Sequence, residues 1–322
     1  MEALAQSRVG RSEVFVSRLG VGGGTLANAG GSRAVDDLLE ACWTAGLRSF
    51  DTAPLYANGE SEQRFGRFFS RHPRHDFTVS TKVGRYPAPP GTRRFDYSAD
   101  ATRRSIELSL QRMGLDFLDI VLIHDINREM HCAEFDRQYA RVVDECFPVL
   151  SVLKNQGVIR SIGLSTRQTD VCLSAAADMP LDCLMMPGSY TLLHHEPLAE
   201  LFPTLLDKEI SVLSASVYNS GILATGNADS PFQYGKASSD VVARVERIMQ
   251  RCRQHGVSIA TAALRFAASH PVIASVVVGQ QSISELDANL AAMNATLPAE
   301  LWHDLAADGL IPPSALSQLL HC

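Results

Sequence analysis

Apolar residues are distributed along this chain in two alternating patterns. Short apolar runs alternate with longer segments in which apolar residues recur at the period of an α-helix. This alternation is typical of β-strand–α-helix units on a parallel sheet, because strands covered on both faces need continuous apolar runs. Eight strands are predicted, at residues 18–22, 49–52, 78–82, 117–123, 161–165, 183–186, 212–216 and 275–278.

The longer segments between these strands predict nine helices. Ser32, Ser98, Ser239 and Ser282 stand where helical segments begin, and their hydroxyls are candidate N-caps. The predicted helices occupy residues 33–45, 61–69, 99–112, 141–156, 168–177, 197–207, 240–255, 259–269 and 284–293.

The eight strand–helix units predict a (β/α)8 TIM barrel in the α/β class. A chain of 322 residues suits one such barrel of ~250 residues with long βα loops and a tail. An open doubly wound sheet is the alternative, but the first strand is followed by Gly22-Gly23-Gly24 rather than by G-x-G-x-x-G. We therefore expect a single barrel domain over residues 1–322, with long loops at residues 86–97, 127–139 and 227–236.

Composition and charge exclude several classes of function. A formal net charge of −6 gives no basic footprint for nucleic acid. The chain has no apolar run of the ~18 residues that a membrane span needs and no signal-peptide pattern at its start, which predicts a cytoplasmic protein. No cysteines form a C-x-x-C pair, so reduced core thiols are expected rather than disulfides or a metal site. The cysteines are Cys42, Cys132, Cys146, Cys172, Cys183, Cys252 and Cys322.

Four ionisable residues lie at or just beyond the carboxyl ends of the predicted strands 2, 3 and 4. These are Asp51, Tyr56, Lys82 and His124, and the carboxyl ends of barrel strands converge on one mouth. Each alone has a structural interpretation, as a cap, a rim aromatic or a surface ion pair. Together they make an acid/base centre. At an effective dielectric of ~20, a cation ~4 Å from a phenolate stabilises it by roughly 4 kcal/mol, which lowers a tyrosine pKa of ~10 by about three units before desolvation opposes it. Asp51 would keep Lys82 charged, and His124 would orient the reacting oxygen.

The segments around these residues resemble a known family. Residues 50–56 (FDTAPLY), 80–84 (STKVG), 122–125 (LIHD), 161–165 (SIGLS) and 220–223 (SGIL) are similar to the conserved segments of the aldo-keto reductases. The resemblance spans nearly the whole chain. It implies a barrel oxidoreductase that uses a nicotinamide cofactor, with the four residues named above as its catalytic tetrad.

Further segments resemble the aldose dehydrogenase branch of that family, the D-threo-aldose, L-fucose and L-galactose dehydrogenases. They are residues 96–98, 190–193, 218–226, 301–302 and 309–311. The resemblance implies NAD-dependent oxidation of an aldose such as L-fucose, L-galactose or D-arabinose at C1 to the lactone, with Tyr56 as acid/base. Alternatives are a pyridoxal 4-dehydrogenase or general aldehyde reductase on the same scaffold, and a non-catalytic nicotinamide-binding regulatory subunit.

The chain differs from the family at the positions that contact the nicotinamide ring in its members. Pro187 replaces the Gln of strand 6 that holds the carboxamide, and only Ser165 of the Ser-Asn pair after strand 5 is kept, because Thr166 follows it. Ala215 replaces the aromatic residue that stacks on the ring. Tyr218 is a candidate replacement for that aromatic residue, or a rim residue that packs on its loop.

The segment after strand 8, which binds the adenosine end in this family, predicts NAD rather than NADP. From Pro271 to the C-terminus the chain has no Arg or Lys to meet a 2′-phosphate, and Glu285 stands where the phosphate-binding Arg would be. Glu285 is otherwise a solvated helix residue, and Asn289 is the expected adenine contact. The expected cofactor contacts are Gly24, Thr25, Asp51, Ser165, Ser216, Tyr218, Ser220, Ile222, Gly279, Gln280, Gln281, Glu285 and Asn289.

The expected substrate is a small sugar or aldehyde bound by Tyr56 and His124. Arg85, Tyr86 and His131 are further candidate contacts, and Tyr97 is another. The only partner expected is that small molecule, in a monomer or small homo-oligomer. A tail after Pro312 that folds over the mouth is a further hypothesis.

Overall fold

Eight parallel strands close into a barrel in the computed structural model, which describes residues 2–233 and 235–320. Each strand pairs with its neighbours in sequence, and the last closes on the first, with Val276 opposite Leu19. All eight predicted strands are present with bounds within two residues, which confirms the (β/α)8 barrel. The strands are β1 (Leu19–Gly22), β2 (Ser49–Asp51), β3 (Thr78–Val83), β4 (Leu118–His124), β5 (Ile159–Ser165), β6 (Cys183–Pro187), β7 (Ser211–Ala215) and β8 (Ile273–Gly279).

Helices cover the outside of the barrel, and every predicted helical segment contains one. The predicted helix 197–207 is divided into a 3-10 turn at Glu196–Leu198 and a shorter α-helix. The helices are α1 (Ser32–Thr44), α2 (Glu60–Phe69), α3 (Ala99–Met113), α4 (Phe135–Arg141), α5 (Phe147–Asn155), α6 (Thr169–Asp178), α7 (Leu201–Asp207), α8 (Ser239–Gln254), α9 (Ile259–Ala268), α10 (Ile283–Asn294) and α11 (Ala299–Ala307), with single turns at Arg128–His131, Ile222–Thr225 and Leu316–Leu319.

The predicted helix 141–156 begins earlier and contains a π-helical turn. Helix α4 passes through Val142–Cys146 into α5, and the Phe147 amide donates to the Val142 carbonyl, five residues back. Pro148 has no amide proton, so the α-helical hydrogen-bond ladder cannot continue through this point. Helix α11 was not predicted, and neither was α4 before Arg141, most of which lies in the predicted loop 127–139.

Two of the four candidate N-caps are confirmed. Ser98 and Ser282 accept hydrogen bonds from the third amide of their helices. Ser32 lies inside α1, and Ser238 rather than Ser239 caps α8. In both corrected cases the residue before the predicted cap takes the extended conformation that a cap requires.

An N-terminal hairpin, which the sequence did not predict, closes the amino end of the barrel. Its strands are Gln6–Arg8 and Phe15–Ser17. The Gly10 amide donates to Ser211 Oγ at the start of β7 (2.8 Å), and the turn residues Val9 and Val14 are buried inside the barrel. Only the carboxyl ends of the strands therefore surround an open mouth.

Five of the six cysteines in the described part of the chain are buried and reduced, as expected. Burial raises the pKa of the Cys146 thiol to about 12. Cys132 is the exception, because it lies exposed in the loop after β4, and Cys322 lies outside the described residues. Within residues 2–233 and 235–320, no helix is long and apolar enough to cross a membrane, and no His, Cys, Asp and Glu side chains cluster as metal ligands do.

Candidate active site

A buried ion pair between β2 and β3 lies at the base of the mouth. Lys82 Nζ is 2.7 Å and 2.9 Å from the two carboxylate oxygens of Asp51, and it also donates to the Thr52 carbonyl (2.8 Å). Ser80 Oγ donates to the same carboxylate (2.6 Å). Both charged side chains are at least nine-tenths buried. Burial alone lowers the pKa of Lys82, but the charges and hydrogen bonds of Asp51 and Tyr56 together outweigh it and hold that pKa above its ordinary value, so Lys82 is a fixed cation.

Tyr56 lies over this cation. The Lys82 ammonium is 4.8 Å from the centre of the Tyr56 ring. The turn after Tyr56 places Ala57 and Asn58 in the left-handed region (φ 48° and 54°), which lets the chain reverse into α2. A Cβ on Gly24 would stand 3.6 Å from Tyr56 Cζ, so glycine keeps open the space beside the reactive hydroxyl.

The pKa of Tyr56 is shifted upward, whereas the sequence predicted a downward shift. Burial raises this pKa, and the opposing effect of Lys82 reduces the rise without cancelling it, so the net direction is upward from the ordinary value. The sequence identified the cation but gave no measure of how much solvent the phenol loses. In the free protein Tyr56 is therefore a protonated phenol that can donate a proton at neutral pH.

His124 ends β4 as a neutral imidazole. Burial, aided by the positive charges of Lys82 and Arg85, lowers its pKa to about 3. Its Nδ1 atom is buried without a hydrogen-bond partner, and its ring lies edge-on to Tyr56, with 6.2 Å between ring centres. A neutral imidazole beside the phenol is suited to hydrogen bonding with an uncharged substrate oxygen.

Asp125, which is not among the site residues predicted from the sequence, places a carboxylate at the mouth. Its backbone is left-handed (φ 58°), and its Oδ2 is 3.5 Å from His124 Nε2. The same carboxylate is ion-paired with Arg85, which extends from a short hairpin formed by Arg85–Tyr86 and Arg94–Phe95. Both side chains of this pair are partly exposed, so Arg85 remains a candidate substrate contact.

The other three candidate substrate contacts have internal partners. Tyr97 Oη donates to the His124 carbonyl (2.9 Å), and His131 Nε2 is 3.2 Å from both Tyr97 Oη and the Asp125 carbonyl. Tyr86 Oη accepts from Gly84 and donates to Ala101. The structure thus places Tyr97 and His131 as supports for the main chain that carries His124.

A second buried network, also missed from the sequence, supports β3 from outside. Thr81 Oγ1 donates to Glu62 Oε1 (2.7 Å), and Arg112 of α3 donates to Glu62 Oε2 (2.6 Å). Glu62 is fully buried. Successive side chains of a strand point to opposite faces of the sheet. Because Thr81 is bonded on the outside of the barrel, the next residue, Lys82, points inward toward the mouth.

Apart from Asp51, the expected cofactor residues lie at or after the ends of β1, β5, β7 and β8, in the opposite wall of the mouth. Thr25 Oγ1 is 3.5 Å from the Gln280 carbonyl, and a Cβ on Gly279 would stand 2.6 Å from Thr25 Oγ1. After β7, the loop turns through left-handed residues at Ser216 and Ser220 (φ 51° and 67°). Ile222 is fully buried beneath this loop.

Tyr218 and Asn289 meet across this wall. Tyr218 Oη donates to Asn289 Oδ1 (2.7 Å), which joins the β7 loop to α10. Glu285 lies in the first turn of α10, and its Oε2 accepts from the Gln281 amide (2.8 Å) while its own amide donates to Ser282 Oγ. Glu285 therefore caps its own helix and stays exposed.

Several buried polar atoms in this wall have no hydrogen-bond partner among the described residues, which indicates the kind of ligand that the wall can bind. Thr166 Oγ1, Gln280 Nε2 and both amide atoms of Asn219 are buried without hydrogen-bond partners in the described structure. These residues follow β5, β8 and β7. Buried polar groups rarely remain unpaired, so the wall fits an extended, polar ligand such as a nicotinamide nucleotide.

The chain is similar to known proteins over most of its length. Residues 18–307 match the model of the aldo/keto reductase family. The chain is 33% identical to a D-threo-aldose 1-dehydrogenase of a Pseudomonas species, with 92% of this chain and 95% of that protein covered. It is 31% identical to a pyridoxal 4-dehydrogenase of Microbacterium luteolum, with 97% and 99% covered.

Among solved structures, the holo form of aldo-keto reductase AKR11C1 from Bacillus halodurans has the same fold. The TM-score is 0.78 at 24% identity, with 98% of this chain and 96% of that chain covered. The family model spans the barrel strands and all four tetrad positions. This chain therefore belongs to the aldo/keto reductase family of oxidoreductases.

Proposed function

We propose that this protein is an NAD-dependent aldose 1-dehydrogenase. In this reaction the C1 hydroxyl of an aldopyranose loses a proton and C1 loses a hydride, which yields the lactone. One observation carries the proposal: the Arg85–Asp125 ion pair lies directly beside His124 of the tetrad. The similarity to a D-threo-aldose 1-dehydrogenase supports this choice of substrate class.

The tetrad handles the proton. Tyr56 Oη receives the proton of the C1 hydroxyl, and Lys82 stabilises the phenolate that must exist before this transfer. His124, neutral and buried, donates a hydrogen bond that holds the C1 oxygen against Tyr56. Bound NAD would accept the hydride. In the reverse direction Tyr56 donates the proton to an aldehyde oxygen.

The Arg85–Asp125 pair favours a polyhydroxylated substrate. A carboxylate and a guanidinium side by side can accept from one hydroxyl and donate to its neighbour, and such charge-assisted hydrogen bonds are stronger than neutral ones. An apolar aldehyde would have to desolvate this pair without compensation. Sugars bearing a hydroxyl beside C1 are therefore the better ligands.

The choice of NAD rests on charge at the adenosine end. The chain from Pro271 onward carries no Lys or Arg, and Glu285 is exposed in the first turn of α10. A 2′-phosphate there would face a carboxylate without a cation to bind it. A ribose hydroxyl instead could donate to that carboxylate, which has acceptor capacity beyond its bond with the Gln281 amide.

Pyridoxal is the second candidate substrate. It is favoured by the similarity to a pyridoxal 4-dehydrogenase, which extends over almost the whole of both chains. Pyridoxal also carries hydroxyl groups that the Arg85–Asp125 pair could bind, so the two candidates must be separated by experiment.

Initial rates of NADH or NADPH formation at mildly alkaline pH test the proposal. L-fucose, L-galactose, D-arabinose and pyridoxal are each assayed with NAD and with NADP. We expect an aldose with NAD to give the highest kcat/KM. Turnover of pyridoxal alone would establish the second candidate, and a preference for NADP would refute the cofactor assignment.

Two variants show whether the tetrad is responsible. Tyr56→Phe removes only the reactive hydroxyl, and we expect kcat to fall by about 10²- to 10⁴-fold with NADH binding retained. The matched control is Tyr139→Phe, which removes a hydroxyl that donates to Asp178 outside the barrel mouth. Equal rates in Tyr56→Phe and the control would exclude Tyr56 as the acid/base.

A further inference from the structure

The loop that follows β7 has an unusual backbone. Ser216, Asn219 and Ser220 all have left-handed φ angles (51°, 48° and 67°), and Gly221 follows at 123°. Residues with a Cβ adopt this region at an energetic cost, and asparagine tolerates it better than most. Strained residues close together at a ligand-binding mouth are retained when they place a particular group.

The group placed here is the side chain of Asn219. Only 2% of this residue is exposed, yet neither Nδ2 nor Oδ1 has a hydrogen-bond partner. A buried primary amide with none of its donors or acceptors paired is a costly arrangement. Its main-chain amide donates to the Ser216 carbonyl (2.9 Å), so the loop itself is ordered by its own hydrogen bonds and does not need the side chain for this.

The Asn219 amide lies beside the end of β6. A Cβ on Gly188 would stand 3.4 Å from Asn219 Nδ2 and 3.9 Å from the Ser216 carbonyl. Gly188 directly follows Pro187, the last residue of β6, which has no side-chain amide to present to the mouth. Because Gly188 has no side chain, the side-chain amide of Asn219 in the β7 loop can lie next to the end of β6.

A primary amide is the natural partner of a carboxamide. It can donate through Nδ2 to a carbonyl oxygen and accept through Oδ1 from an NH2 group, so two amides can form a pair of hydrogen bonds. Thr166, which follows the adjacent strand β5, has a buried and unpartnered Oγ1 that can add a third bond.

We infer that Asn219 binds the carboxamide of the nicotinamide ring, supplying from the β7 loop the amide that β6 lacks. The inference rests on the proposed use of a nicotinamide cofactor, but not on the sugar. Asn219 thereby fixes which face of the ring is turned toward Tyr56, and its own hydrogen bonds are satisfied only in the complex.

NADH binding to Asn219→Gly tests this role. Glycine accepts the left-handed backbone, so this variant removes the amide without adding strain. We expect the Kd for NADH, measured by fluorescence titration, to rise by about 10- to 100-fold, while the Kd for ADP-ribose, which lacks the nicotinamide, stays the same. Asn155→Gly is the matched control, because this exposed asparagine lies at the C-terminal end of α5, toward the closed end of the barrel.

A cofactor analogue makes the test specific. The 3-acetylpyridine analogue of NAD replaces the carboxamide NH2 with a methyl group and so cannot donate to Asn219 Oδ1. It should bind the original protein more weakly than NAD does, and Asn219→Gly should abolish most of this difference. An equal penalty for the analogue in both proteins, or an unchanged NADH Kd in Asn219→Gly, overturns the inference. Failure of the original protein to bind NADH or ADP-ribose would instead refute the proposed cofactor.

Discussion

The two sides of the barrel mouth differ in how their polar groups are satisfied. On the side of β2 to β4, Asp51, Ser80 and Lys82 are bonded to one another, and only His124 Nδ1 among the tetrad atoms in the described chain is buried without a partner. On the side of β5 to β8, Thr166, Asn219 and Gln280 all present unpartnered atoms.

This difference separates groups that the protein arranges by itself from groups that await a ligand. A charged network must be satisfied internally, because a buried charge without a partner is far more costly than a buried hydroxyl or amide. Uncharged polar atoms can remain unpaired in the free protein at a smaller cost. We therefore expect variants on the first side to lose stability and rate, and variants on the second side to lose affinity.

Lys82→Met should produce the largest effect. It leaves the Asp51 carboxylate buried without its cation, so we expect the free energy of unfolding to fall by about 3–5 kcal/mol and kcat to fall by more than about 10²-fold. Asp51→Asn/Lys82→Met should regain stability in a thermal melt but not activity. Recovery of both in the double variant would show that the pair is structural only.

The pH dependence of oxidation should be the next largest effect. Since burial raises the pKa of Tyr56, the phenolate fraction grows across the alkaline range, and kcat/KM should rise about tenfold per unit between about pH 7 and 9. No inflection is expected near 6.5, because the pKa of His124 is lowered to about 3. A plateau below pH 9 would show that positive charge outweighs burial at Tyr56 in the enzyme before the substrate binds.

Glu285→Arg should alter the choice of cofactor. Reversing the charge in the first turn of α10 supplies a cation for a 2′-phosphate, and we expect the ratio of kcat/KM for NADP to that for NAD to rise by about tenfold or more. Glu300→Arg, the same reversal in the first turn of α11, is the control. If both variants change the ratio equally, the effect is only one of net charge.

Thr166→Val should have the smallest effect. It should maintain or raise the stability of the free protein and weaken its binding of NADH. Removing a buried hydroxyl without a partner should leave the free protein as stable or more stable by up to about 1 kcal/mol, while the Kd for NADH rises a few-fold. Thr102→Val is the contrast, because Thr102 Oγ1 donates to the Ser98 carbonyl (2.8 Å). That variant should lose stability and keep its affinity for NADH.

The strands and the tetrad were accessible from the sequence because their signals are local. Each barrel strand is a buried apolar run, and Asp51, Lys82 and His124 end three of these strands or lie next to the end. The N-terminal hairpin was missed because each of its strands has only three residues, too few for a two-residue alternation to be recognised.

Other features depended on contacts between distant segments. The sequence offers Tyr97 and His131 as polar side chains in mouth loops, but only the fold shows that carbonyls of the β4 end satisfy them. For the proposed role of Asn219 the sequence carries one signal, which is that Pro187 has no side-chain amide. The direction of the Tyr56 pKa required its burial, which no spacing rule provides.

The N-terminal hairpin also limits how molecules move through the barrel. With Val9 and Val14 filling the amino end in the described structure, a ligand can reach the tetrad only from the carboxyl ends of the strands. Under the proposed function, cofactor and substrate would therefore enter through the same mouth. The hairpin, which touches no reacting atom, thereby confines ligand exchange to the end of the barrel that carries the tetrad.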